Sequence, residues 1–106
     1  MTTKRKKSDA VKFLENLSGG PLNLGEFMES IRLGEELSQT KFAEKLEISK
    51  SHLCDIEKGR KSVSAARAAE FAKNLGYSPE QFVRLALQDE LNRSGLKLKI
   101  NIEAAS

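Results

Sequence analysis

The chain has 106 residues, 39% hydrophobic and 31% charged, with a net charge of +3 at neutral pH. That length fits one compact domain whose core must draw on nearly every apolar residue present. No apolar run reaches the roughly 18 residues that span a bilayer, and one Cys with one His leaves neither an internal disulfide nor the ligands of a Cys/His zinc site.

The placement of charge says more than its sum. Four of the 18 basic residues are Lys4, Arg5, Lys6 and Lys7; without them 14 basic residues face 15 acidic ones. Affinity for nucleic acid must therefore come from a local basic face or from this arm. Residues 1–8 show no apolar periodicity and read as a disordered basic arm. No apolar stretch or small-residue cleavage site follows, so the arm does not read as a secretory signal. The single Cys54 fits a reducing compartment, and a cytoplasmic protein is expected.

Beyond Asp9, the residues Val11, Phe13, Leu14 and Leu17 suggest a short helix over 9–20, stopped at Gly19-Gly20-Pro21. Leu24, Phe27, Met28 and Ile31 have helical spacing and predict a helix over about 24–36. Ser38 is a good N-cap for the next, with Phe42, Ala43 and Leu46 as the buried stripe. Ser49 offers a second N-cap only eleven residues later, followed by inward Leu53 and Ile56 and a stop at Gly59. Ser64 caps a further helix, with Ala68, Ala69, Ala72 and Leu75 inward and Gly76 as its end. In Ser78-Pro79-Glu80-Gln81 a capping Ser precedes Pro at the first helical position and Gln three places on. Phe82, Leu85 and Ala86 then face the core, and Gly95 ends that helix.

The tail changes period. Leu96, Leu98, Ile100 and Ile102 alternate with Lys97, Lys99, Asn101 and Glu103, a strand pattern over 95–106. One strand alone cannot satisfy its backbone groups. No other convincing strand exists in the chain, so a second molecule is the expected partner and these four apolar residues the expected dimerisation contact.

Gln39–Leu46, the turn Glu47-Ile48-Ser49 and Lys50–Lys58 together form two short helices joined by a tight turn. Such a unit inside a bundle of small helices is a helix-turn-helix arrangement. Ala43 is small enough for the second helix to cross closely. With Ile48, Leu53 and Ile56 inward, Lys50, Ser51, Cys54 and Asp55 are left outward, facing a major groove. Lys58, Arg60 and Lys61 cluster beyond them, suited to phosphates.

The run Ile31-Arg32, Leu37-Ser38-Gln39, Ala43-Glu44-Lys45-Leu46, Ile48-Ser49, Leu53, Ile56-Glu57-Lys58-Gly59-Arg60, Ala72, Leu75-Gly76 and Ser78 resembles the Cro/repressor, Xre-like helix-turn-helix family over roughly residues 24–88. The resemblance implies an all-α, five-helix, lambda-repressor-like domain over 21–94, here with an extra N-terminal helix and a C-terminal strand. It implies that the third helix of the domain enters the major groove of operator DNA. On that resemblance Gln39 and Thr40 lie near a phosphate, Lys50, Ser51 and Asp55 reach base edges, and Glu57 anchors the following loop. Glu47 departs from the family pattern, where glycine is frequent; a non-glycine residue in the left-handed conformation costs about 1 kcal/mol.

Several residues admit a plainer role. Asp55 is a base contact or a helical partner of Lys58. Lys4, Arg5, Lys6 and Lys7 enter a minor groove, track phosphates or only solubilise. Lys97 and Lys99 contact DNA or guard a strand edge. His52 beside Cys54 makes two candidate ligands and no metal site. There is no Ser/His/Asp set, phosphate-binding glycine loop or paired acid, so no enzyme and no cofactor are expected. The expectation is a sequence-specific transcriptional regulator, a repressor, binding double-stranded palindromic DNA as a homodimer. The rival is an antitoxin similar to the HigA type, which neutralises a protein toxin and autoregulates its operon. A third reading is an interaction module that has lost DNA binding.

Overall fold

A computed structural model describes residues 23–105; the basic arm and the helix expected over 9–20 lie outside the described residues. Five helices follow in order: α1 Leu24–Gly34, α2 Gln39–Leu46, α3 Lys50–Glu57, α4 Ala65–Leu75 and α5 Pro79–Arg93.

Four of the five helices start where a short polar side chain takes up an orphan N–H. Asn23 and Glu26 form a reciprocal capping box at α1, with Glu26 N donating to Asn23 Oδ1 at 2.8 Å. Ser38, Ser49 and Ser64 accept from the backbone N–H groups of Lys41, His52 and Arg67. Ser78 departs from the expected capping box: its hydroxyl bonds the Glu80 side chain and caps no backbone group. Pro79 already removes one orphan donor there.

All five helices also end alike. An N–H two or three residues past the helix reaches back five positions, from Leu37 to Arg32, Ile48 to Ala43, Arg60 to Asp55, Tyr77 to Ala72 and Leu96 to Leu91. The residue before each donor is left-handed: Glu36, Glu47, Gly59, Gly76 and Gly95. This is the Schellman closure, which satisfies carbonyls the helix leaves open. In two of the five, glutamate bears the steric cost of a Cβ in that conformation. Glu47→Gly is therefore expected to stabilise the fold by about 0.5–1 kcal/mol after the entropy penalty of glycine. Urea denaturation checks it; a loss of stability would mean that the glutamate side chain does more there than cap.

Phe42, Phe71, Phe82, Met28, Leu46, Leu53 and Leu85 fill the centre, each almost fully buried. Phe82 meets Phe27 edge-on at 5.2 Å between ring centroids and Tyr77 at 6.0 Å. In α4 the buried residues are Ala68, Phe71 and Ala72. The inward face therefore includes Phe71, which the alanine pattern hides, while Ala69 and Leu75 are half-buried. The small alanines let α4 and α5 approach closely.

Tyr77, the only tyrosine, donates its hydroxyl to Glu35 Oε2 at 2.6 Å. Burial first, then that carboxylate, pushes the phenol far above its usual range. A group whose pKa is raised by folding stabilises the fold fully below its unfolded pKa, and that contribution is lost as pH rises. The chain lacks tryptophan, so phenolate absorbance reports Tyr77 directly. Its ionisation should be delayed above pH 10 and should coincide with loss of helical signal. Free titration near 10 in a folded chain would contradict this.

The tail corrects the sequence reading. Among the described residues there is no strand, and residues 96–105 form no regular structure. The period-two pattern is present, but the ladder it needs has no second strand among these residues. A side chain partly substitutes: Gln88 Nε2 donates to Leu98 O at 2.7 Å, and Ile100 N donates to Gln88 Oε1 at 2.9 Å. Leu96 and Leu98 remain exposed, while Ile100 and Ile102 are half-buried.

Candidate nucleic-acid interface

The geometry of α2 and α3 follows from the turn between them. Glu47 takes φ 60° and ψ 40°, Ile48 packs back on the core, and Ser49 returns to extended backbone to cap α3. The left-handed residue expected at Glu47 is thus present without glycine. Leu53 and Ile56 are buried, and α3 lies across α2 and against α1.

Lys50 and Ser51 are exposed at the start of α3, with Cys54 and Asp55 half-buried one turn further. Residues four apart share a face, so 50 and 54, and 51 and 55, form adjacent rows. Thr40, Lys58, Arg60 and Lys61 are all exposed. His52 is half-buried on the flank. Of the residues that the sequence assigns to this face, Lys4, Arg5, Lys6 and Lys7 lie outside the described residues.

Two residues are engaged otherwise than expected. Asp55 Oδ1 accepts from Arg60 Nε at 2.9 Å, so its helical partner is Arg60 and not Lys58. The carboxylate in turn holds the Arg60 guanidinium above its usual pKa. Gln39 Nε2 donates to Glu57 Oε1 at 2.9 Å. An amide nitrogen carries two hydrogens, so one remains for a phosphate oxygen.

Glu57 is the buried centre of this arrangement. Its side chain is 1% exposed and receives both Arg32 Nε at 2.8 Å and Arg32 Nη2 at 3.2 Å. Arg32 also donates to Leu37 O. The forked pair is the strong form of a charge-assisted bond. Glu57 thus ties α3 to α1 through Arg32 and to α2 through Gln39. Its partners are these helices rather than the loop after α3.

Gly25 is a positioning residue that composition and periodicity did not reveal. A Cβ built there would lie 2.2 Å from Ile56 O and 3.1 Å from Glu57 O. Close approach of α1 to the end of α3 depends on its absence. A glycine in the first turn of a helix, between the apolar positions 24 and 27, was the available signal.

A family model described as helix-turn-helix matches residues 28–82, which contain α2, the turn, α3 and α4 entire. No curated protein and no solved structure matches the chain. Among the described residues no helix is long and apolar enough to cross a membrane. The matched span covers more than half of the chain, and with the capped pair α2–α3 in place the protein belongs to the Xre-like helix-turn-helix family of DNA-binding regulators.

Proposed function

We propose that this protein is a sequence-specific transcriptional repressor that reads a palindromic operator as a homodimer, with α3 in the major groove. The observation that carries the reading is the outer face of α3. Exposed Lys50 and Ser51 stand on a helix whose C-terminal end is held by the Arg32–Glu57–Gln39 network. A side chain reads bases only if its helix is held in place, and phosphate contacts set the register.

In this reading Lys50 and Ser51 reach base edges. Thr40, the spare hydrogen of Gln39, Lys58 and Lys61 meet the backbone, and Arg60 adds its charge beside them. The function is binding alone, with no catalysis and no cofactor. Two protomers related by a twofold axis match half-sites about one helical turn apart. The exposed Leu96 and Leu98, with Ile100 and Ile102, supply apolar surface for a packed contact between protomers.

The test is binding of the full chain to duplex DNA from its own upstream region, titrated against salt and analysed for mass. With about six phosphates neutralised, affinity should fall on the order of 1,000-fold between about 50 and 200 mM salt. Two chains should occupy each duplex, and a Leu98→Asp/Ile100→Asp variant should bind as one. Salt-insensitive binding, or none at low salt, would remove the reading; an intact dimer in the variant would remove the contact.

A further inference from the structure

Five helices share one closing motif, and in four of them the residue donating the long back-bond is apolar or aromatic. Leu37, Ile48 and Tyr77 pack on the core, and Leu96 begins the tail. A hydrophobic contact at this place is the usual companion of the motif. In α3 the place belongs to Arg60, which is exposed. The Arg60 backbone N–H donates to Asp55 O at 2.8 Å, and its side chain pairs with the same residue. An ion pair thus replaces the apolar contact on the one helix that presents the reading face.

The direction of that side chain matters. Arg60 leaves the loop after α3 and folds back onto it, with Nε on Asp55 Oδ1 at 2.9 Å and Nη2 3.6 Å from Cys54 Sγ. Residues 54 and 55 lie one turn beyond Lys50 and Ser51 on the same rows. The guanidinium is therefore held over the outer face of α3.

We propose that Arg60 reads a guanine edge in the major groove and that Asp55 is the positioning residue that aims it. This rests on the reading of α3 as the helix that enters the groove. A guanidinium has five N–H donors in a planar fork. Asp55 takes the one on Nε, and the sulfur of Cys54 takes one on Nη2. Three remain, two on Nη1 and one on Nη2, and one from each nitrogen makes a pair of adjacent donors that matches O6 and N7 of guanine. The carboxylate that fixes the fork also repels phosphate oxygens, so the pair favours a base over the backbone.

The experiment selects binding sites from a pool of randomised duplexes with the full chain and with Arg60→Ala, Arg60→Lys and Asp55→Ala. Thermal unfolding confirms that each variant is folded. Wild-type sites should carry guanine at one fixed position of each half-site, preferred by about tenfold or more. Both Arg60 variants should lose the preference at that position alone, because lysine keeps the charge but not the fork. Asp55→Ala should blur the same position while binding random duplex at least as well as wild type. If Arg60→Lys keeps every preference, and Arg60→Ala weakens all sequences equally with a salt slope smaller by about 1, Arg60 is a phosphate ligand and the proposal fails. Guanine preference intact in Asp55→Ala removes the positioning role. If the wild type binds no duplex even at low salt, the DNA-reading account itself has failed, and the proposal falls with it.

Discussion

Arg32→Ala is expected to destabilise the domain by about 3–5 kcal/mol, a large share of the roughly 5–15 kcal/mol that holds a small domain together. The variant leaves a carboxylate that is 1% exposed with Gln39 as its remaining side-chain partner among the described bonds. Removing one partner of a buried pair exposes the full desolvation cost of the other. The pair itself contributes less than that figure, because burying both charges was costly. Arg32→Met combined with Glu57→Leu should therefore recover much of the loss while failing to hold Gln39 in place. Urea denaturation of both variants decides the matter. A loss below about 1 kcal/mol for Arg32→Ala would mean that Glu57 is rehydrated easily and that the network does not hold α3.

Gly25→Ala is the second large effect. A methyl group would meet the Ile56 carbonyl at 2.2 Å, a backbone atom that cannot rotate away. Either α1 moves off α3 or the last turn of α3 opens. Overpacking of this kind costs about 1–3 kcal/mol and occasionally more, against about 1 kcal/mol regained in helix propensity. The net expectation is a loss of up to about 2 kcal/mol, with weaker DNA binding because Glu57 sits in that turn. Gly34 is the internal control. It lies at the other end of α1 with nothing within 4 Å of a built Cβ. Gly34→Ala should stabilise by about 0.5–1 kcal/mol. Equal responses at the two positions, read from thermal unfolding, would show that close approach at Gly25 has no energetic weight.

The α2–turn–α3 unit was legible because its signals are local. Ser38 and Ser49 cap from within one turn, and the stripe Phe42, Ala43, Leu46, Leu53, Ile56 has the helical period. The outer face followed by elimination once the inner face was assigned. What stayed hidden depends on residues distant in the chain. Arg32 meets Glu57 across 25 positions, and Gly25 matters only because the carbonyl of Ile56 lies against it. Phe71 was masked by the alanines around it, whose small size gives a weak periodic signal. The partner of Asp55 is hidden for another reason. Helical spacing pointed to Lys58, whereas the turn after α3 brings Arg60 back over the helix. The tail failed differently: alternation marks which side chains share a face, but a strand exists only where a second strand supplies the ladder.

The most direct test of the central claim, that the outer face of α3 reads DNA sequence, compares wild type with Lys50→Ala/Ser51→Ala on specific and random duplex. The double variant removes no buried group, since both residues are exposed, and it should fold normally. The account predicts that wild type prefers its upstream sequence. It also predicts that the double variant loses most of that preference while keeping the salt-dependent affinity for random duplex that Lys58 and Lys61 supply. Preference for the upstream sequence undiminished in the double variant would contradict it, and would place the reading of bases on another surface of the protein.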